Sequence, residues 1–231
     1  MRVSVVIPTY NEANNVIVLV DRLDKVFRKL RLGFELVFVD DNSPDCTGLV
    51  LEELKKKYPI SIIHRKGRFG LSSAVIAGFG VVKGDVVGVM DADLSHSPEL
   101  IPELLRPFKG GKVDFVVASR YIRGGGVEVW PFYRRLISLV ATLLARPLTR
   151  VKDPMSGFFF FKKELLAGLR LNSGGYKICL ELLVKAKPSC VVEVPYLFRN
   201  RVVGKSKLSV REYYRYVKDV FSLFCFKLRK N

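Results

Sequence analysis

Through its first 120 residues the chain alternates short apolar runs with longer stretches whose apolar positions recur every three or four residues. The short runs are RVSVVIP, FELVFVDD, ISIIH, DVVGVMDAD and VDFVVASR. Nearly continuous apolar runs of this length predict strands buried on both faces. Between them, Val16, Leu19, Val20, Leu23, Val26, Phe27 and Leu30 keep helical spacing. Further helices are predicted through Leu49–Tyr58, over GLSSAVIAGFGVV, and over PELIPELLRPF, with Pro98 near the first turn of the last. Strands alternating with helices in this way predict an α/β fold, a mixed but mainly parallel sheet with helices on both faces.

Beyond Arg120 the pattern changes. YIRGGGVEVWPFYRR is rich in glycine and aromatic residues and reads as a mobile loop. A helix near 133–147 follows, its apolar run Leu136–Ala145 flanked by Arg134, Arg135 and Arg146. Val191–Val194 reads as a late strand, and from Ser209 the tail is helical. Val210, Tyr213, Tyr214, Val217, Val220, Phe221, Phe224, Cys225 and Leu228 fall on one stripe of that helix, with Arg211, Arg215, Lys218 and Lys227 off it. The expected organisation is one domain over 1–208 and an amphipathic helix over 209–231. The stripe is expected to lie at a membrane interface, and a face packed on the sheet domain is the competing reading.

Charge narrows the partners. Lysine and arginine number 39 against 22 acidic residues, a net charge of +17, which points to an anionic surface or substrate. No basic-aromatic nucleic-acid module accompanies that charge, so nucleic acid is not the expected partner. No apolar run approaches the roughly 18 residues needed to span a bilayer, although the Leu136–Ala145 run could lie on one. The four cysteines have no metal-ligand spacing and no secretory leader precedes them, so reduced thiols in a cytoplasmic setting are expected.

The candidate chemistry sits where strands end, the edge at which α/β sheets bind ligands. Glu12 follows the first strand, Asp40 and Asp41 end the second, and Asp91 and Asp93 end the fourth. Two residues apart in extended chain point the same way, so Asp91 and Asp93 can converge, with small Ala92 between them. Two like charges so close call for a cation, and a divalent metal completed by substrate phosphates fits. Asp93 as a plain cap of the next helix is the competing reading.

The motifs VVIPTYNEANN, VDDNSPDCT, GLSSAVIAGF and MDADLSHSPE resemble the family 2 glycosyltransferases of the GT-A fold. ASRY, RRLIS, DPMSGFFFF and FRNRVVGKSKL narrow the resemblance to dolichyl-phosphate mannosyltransferases and related polyprenyl-phosphate hexose synthases, over nearly the whole chain. The length is similar to that of the type whose catalytic subunit works with a small membrane-anchoring subunit. The resemblance implies that Pro8, Tyr10, Glu12, Val39 and Asp41 line the nucleotide site, Asp41 on the base edge and Tyr10 on the ring. It implies that Asp91, Ala92 and Asp93 hold ribose, diphosphate and metal, Mg2+ or Mn2+. Some relatives have Gln where this chain has Ser95, a shorter candidate ligand beside Asp91 and Asp93. His96 is one of two histidines and reads either as structural or as catalytic. GRFGLSSA looks like a phosphate cradle but lacks the P-loop ending, so it reads as a helix start beside the nucleotide.

On the acceptor side, a lipid phosphate is already anionic near neutral pH and needs positioning and neutralisation rather than a base. Arg120, Arg134 with Ser138 one turn on, and Arg201 are the expected clamp, with Lys207 reaching the diphosphate. Asp153 and Ser156 are expected at the floor of the site. Asp93, Arg120 and Arg201 are the expected catalytic residues. The activity implied is inverting transfer of mannose from GDP-mannose to dolichyl or polyprenyl phosphate at the cytoplasmic face of a membrane, with UDP-glucose as the alternative donor.

Overall fold

The computed structural model describes residues 1–128, 131–172, 177–198 and 210–229. The strands are β1 (Arg2–Thr9), β2 (Gly33–Asp40), β3 (Ile60–His64), β4 (Val86–Val89), β5 (Phe115–Ser119), β6 (Gly126–Val127), β7 (Phe159–Lys162), β8 (Val191–Pro195) and β9 (Leu197–Phe198). The helices are α1 (Ala13–Leu30), α2 (Thr47–Lys55), α3 (Leu71–Phe79), α4 (Ile101–Leu105), α5 (Phe132–Ala145), α6 (Ile178–Lys185) and α7 (Val210–Arg229). The predicted helix over residues 98–108 is broken into α4 between two 3-10 turns, Pro98–Leu100 and Arg106–Gly110. Pro102 and Pro107 have no N–H to give to the preceding turn, which explains the break.

Seven strands form one sheet in the order β3-β2-β1-β4-β7-β5-β8. All neighbours run parallel except at β7, which is antiparallel to both β4 and β5. The chain moves outward from β1 to β3 and then returns to place β4 on the other side of β1, so a ligand crevice opens between the ends of β1 and β4. Both β7 and α6 lay outside the sequence expectations. Because β7 is reversed, its start lies at the edge where the other strands finish. The loop before it, residues 153–158, therefore joins that edge.

The sheet is packed on both faces. Val3, Val5, Ile7, Leu36, Phe38, Phe158 and Phe160 pack with Leu19, Leu23 and Phe27 of α1 and Leu104 of α4. Val6, Val37, Val87, Phe115, Phe159 and Phe161 pack on the other side with Ala74 and Val75 of α3 and Leu182 of α6. This explains a run of four phenylalanines, all fully buried: alternate rings serve opposite faces. Phe160 lies over Gly88 of β4, where an added Cβ would overlap three carbons of its ring. Gly88→Ala should therefore cost about 1–3 kcal/mol through overpacking. A thermal midpoint equal to that of the parent would contradict this.

The tail helix is docked by a face that overlaps one edge of the predicted stripe, at Val220. Tyr216 and Leu223 are buried against Ala145, Leu148, Leu180 and Val184, with Val220 and Phe226 alongside. The Tyr216 hydroxyl donates to the Ala141 carbonyl of α5 at 2.5 Å, and Lys227 Nζ donates to the Pro147 carbonyl at 2.8 Å. The stripe residues Val217, Phe221, Phe224 and Leu228 remain exposed. The side chains of Val210, Tyr213 and Tyr214 lie outside the described residues, as do residues 199–209.

Candidate active site

The acids at the β2 end divide their work. Asp40 is buried and accepts from Thr9 Oγ1 at 2.9 Å and from Ser43 N and Oγ, tying β1 and β2 to the following turn. Asp41 is also buried. Its Oδ1 accepts from Arg65 Nη1 at 2.6 Å, and its Oδ2 accepts from the backbone N–H groups of Phe69 and Gly70. The GRFG segment thus cradles an anion, and that anion is the protein's own Asp41. Arg68 stacks its guanidinium 4.3 Å above the Tyr10 ring, on the surface expected to meet the base. Sequence reading missed Arg65 and Arg68; the available signal was three cations in four residues directly after β3.

Glu12 precedes α1, donates its backbone N–H to Thr47 Oγ1 and accepts from Asn15 Nδ2 at 2.6 Å. Asp45 accepts from Thr47 and from Ala13 N. Burial raises its proton affinity, but these bonds more than offset that and hold its carboxyl below the usual range. Pro8 and Val39 are register partners across β1 and β2. The Val39 and Ala92 side chains lie in the core, so only their backbones can face a ligand.

After β4 the chain passes Asp91, Ala92 and Asp93 and turns at Leu94, whose φ of 62° is left-handed. A leucine there is strained, a cost that recurs at functional turns. The turn folds Ser95 back on Asp93, whose Oδ1 accepts from Ser95 N at 3.0 Å and Ser95 Oγ at 2.6 Å. His96 is buried with its ring stacked on Phe158 at 5.1 Å. Its Nδ1 accepts the Asp91 backbone N–H at 3.0 Å, so a neutral ring carries its proton on Nε2, 4.0 Å from Asp91 Oδ2. These contacts give His96 the task of fixing the turn that carries Asp91. Gly157 packs against the same pair, and a Cβ there would meet His96 Cε1 at 3.1 Å and Asp91 Oδ2 at 3.4 Å.

Two carboxylates and a hydroxyl carried by one short turn are the donor types that a hard divalent cation takes. Mg2+ in particular takes one or two carboxylates and completes its shell with water and phosphate oxygens. Among the described residues no set of three His, Cys, Asp or Glu side chains gathers elsewhere or here. Such a cation would therefore depend on substrate oxygens for the rest of its shell.

At the same edge of the sheet, Arg120 follows β5 and meets Asp153, the first residue of the loop before β7. Arg120 Nε and Nη2 each lie 2.7 Å from a different Asp153 oxygen, and the Arg120 backbone N–H adds a third bond at 2.9 Å. Asp153 is fully buried. Burial works against the Arg120 charge, but the Asp153 carboxylate outweighs it and keeps the guanidinium protonated. Tyr121 donates its hydroxyl to Ser138 Oγ at 2.6 Å, which brings the end of β5 onto α5. Arg134 sits in the first turn of that helix, one turn before Ser138, and is half-buried. Burial also pushes the Tyr196 phenol well above its usual range, in reach of the charges of Arg120, Asp153, Asp91 and Asp93. Asp91, Asp93 and Arg120 thus lie at the same edge of the sheet, with α5 tied to it through Ser138, while Asp41 is engaged by Arg65, Phe69 and Gly70, and Arg201 and Lys207 lie outside the described residues.

The outward row of α5 is apolar: Phe132 is 81% exposed, and Leu136, Leu139 and Leu143 are each at least half exposed. Among the described residues, no helix is long and apolar enough to cross a membrane.

Comparison with known proteins bears on the family and the fold. The sequence model of glycosyl transferase family 2 matches residues 4–170. The chain is 48% identical over 227 residues to a dolichol-phosphate mannosyltransferase of Pyrococcus furiosus, with 96% of the chain and 64% of that protein aligned. It thus spans less than two thirds of that relative's length. It is 40% identical over 239 residues to the dolichol-phosphate mannosyltransferase of Saccharomyces cerevisiae, covering 99% of the chain and 89% of the relative. Among solved structures, mannosyl-3-phosphoglycerate synthase from Rubrobacter xylanophilus superposes with a TM-score of 0.71 at 22% identity, covering all of this chain and 74% of the other. A mannosyltransferase from Pyrobaculum calidifontis, solved with GDP-Man and Mn2+, superposes with a TM-score of 0.65 at 18% identity, over 98% of this chain and 64% of the other. At such identities the structures establish the fold, the GT-A arrangement of a mixed, mainly parallel sheet flanked by helices.

Proposed function

The chain belongs to glycosyl transferase family 2, and on that premise we propose that it transfers mannose from GDP-mannose to dolichyl phosphate or another polyprenyl phosphate. One observation carries the reading: the carboxylates that follow β4 and the Arg120–Asp153 pair that follows β5 lie at one edge of the sheet, all within electrostatic reach of the Tyr196 phenol, with Arg134 in the first turn of the α5 helix that Tyr121 ties to this edge. That arrangement separates a diphosphate side from a phosphate side. The names of the relatives supply the sugar and the lipid.

On the donor side, Asp91 and Asp93 would hold a divalent cation, Mg2+ or Mn2+, bound to the diphosphate. When bound, the cation offsets the charge that develops on the leaving diphosphate. Ser95 fixes one oxygen of Asp93, and His96 fixes the backbone of Asp91, so the two carboxylates are aimed before substrate arrives. On the acceptor side, Arg134 and Ser138 hold the lipid phosphate beside Arg120. The phosphate oxygen then attacks the anomeric carbon from the face opposite the nucleotide, inverting its configuration. No side chain has to remove a proton, because the acceptor is already ionised near neutral pH. Electrostatic positioning is the main contribution of the protein.

The same helix that carries Arg134 and Ser138 turns Phe132, Leu136, Leu139 and Leu143 outward. Seated in a lipid interface, that row would bring the phosphate clamp to headgroup depth. This supports peripheral binding at a membrane, which we assign to the cytoplasmic face, with a membrane-anchoring subunit as a further partner.

The test is transfer of labelled sugar to a short polyprenyl phosphate with GDP-mannose and UDP-glucose side by side, in Mn2+. GDP-mannose should be the productive donor. Turnover with UDP-glucose alone would replace this reading by glucosyl transfer. Arg134→Ala should weaken acceptor use by roughly 10- to 150-fold, the value of about 1.5–3 kcal/mol for a charge-assisted bond, and leave GDP binding unchanged. A loss of GDP affinity with intact acceptor kinetics would remove Arg134 from the clamp.

A further inference from the structure

Asp153 lies 33 positions from Arg120 in sequence and takes two sides of its guanidinium. A buried ion pair of this kind adds little net stability, because desolvation cancels most of the attraction. Its geometry is more informative than its energy. Nε and one Nη2 hydrogen are fixed on the carboxylate, so the end-on edge of the fork, between Nη1 and Nη2, is turned away from Asp153. Rings flank the group, Tyr121 at 5.3 Å and Phe198 at 5.8 Å. Tyr121 is itself bonded to Ser138 of the acceptor helix. The pair is also neutral in sum, so Arg120 brings oriented donors to the crevice while net positive charge must come from Arg134 and other cations.

From this geometry we infer that Asp153 is a positioning residue of the acceptor site, aiming the Arg120 guanidinium at the acceptor phosphate. The inference rests on the transferase reading above. The loop that begins at Asp153 also presses Gly157 against Asp91 and His96. One rigid segment, delivered to this edge by the reversed strand β7, therefore sets the acceptor arginine and the donor acid at a fixed separation. A misplacement of about 1 Å between reacting groups can cost on the order of 10²-fold in rate.

Two variants of the full chain test this. Asp153→Glu keeps the charge and the pairing but lengthens the arm by one methylene, and Asp153→Asn keeps the shape but removes the charge. Thermal midpoints, calorimetric GDP affinity, and kinetics with farnesyl phosphate as acceptor are measured for each. The expected result is GDP affinity within about 2-fold of the parent, with KM for farnesyl phosphate raised and kcat/KM lowered by at least ~10-fold. If Asp153→Asn fails to fold, Asp153→Glu carries the test, since it leaves no unpaired buried charge. A folded Asp153→Glu protein with parental KM and kcat would overturn the assignment. So would a fall in kcat that merely follows the folded fraction at constant KM, the pattern of a purely structural pair. If the parent protein transfers no sugar, the transferase reading fails by itself. Calorimetric binding of farnesyl phosphate then decides the role of Asp153, and equal affinity in parent and Asp153→Glu would overturn it.

Discussion

Asp93→Ala should abolish all but a residue of sugar transfer, a loss of at least ~10²-fold, the scale of deleting one strong electrostatic stabiliser. Asp93 is buried and already held by Ser95 N and Oγ on one oxygen, so its removal leaves both the turn and the crevice without their fixed charge. Excess chelator should have the same effect on the parent protein, and Mn2+ or Mg2+ should restore it. The variant, by contrast, should not be rescued by added metal, because the missing partner is the carboxylate. Ser95→Ala separates ligation from aiming: if Ser95 only orients Asp93, its loss should cost about 0.5–1.5 kcal/mol, roughly 2- to 13-fold, with little change in metal affinity. Undiminished transfer in chelator would end the metal assignment, whatever the fate of the Asp93 variant.

The second large effect concerns α7. Phe221 is 68% exposed and Phe224 40% exposed, while Leu223 between them is buried. Phe221→Glu with Phe224→Glu should therefore leave folding and GDP binding intact and release the protein from anionic vesicles. Each phenylalanine lost from a lipid interface is worth about 1.5–3 kcal/mol. The pair predicts a fall in vesicle affinity toward the lower end of roughly 10²- to 10⁴-fold, because part of Phe224 is already covered. Activity on a water-soluble short-chain acceptor should survive. Leu223→Glu is the opposite case: a charge among Leu180, Val184 and Tyr216 should cost several kcal/mol and lower the melting temperature sharply. A double variant that binds vesicles as the parent does would shift the membrane contact to the exposed row of α5. A double variant that unfolds would mean that the stripe is packed rather than presented.

The sequence by itself determined the parts of this protein whose signal is local. Alternation of apolar runs with helical periods located β1 to β5 and α1 to α3, because burial on both faces leaves continuous apolar strands. The acids at the strand ends were legible for the same reason: polar residues directly after a buried strand must sit at its edge. Tertiary structure decided what those residues face. Nothing in Phe159–Lys162 tells a parallel from an antiparallel strand; its direction is set only once the sheet is assembled, by pairing of Phe159 with Val89 of β4 and Val117 of β5, 70 and 42 residues earlier. That reversal is what carries Asp153 to Arg120. Asp41 shows the same limit, since its partners Arg65, Phe69 and Gly70 come from a loop beyond β3. In α7 the periodicity revealed an apolar stripe without revealing what covers it. Tyr216 and Leu223 dock the helix, and Val217, Phe221, Phe224 and Leu228 of the stripe are left facing outward, because amphipathic spacing records that a face is apolar and only packing decides which face meets the core.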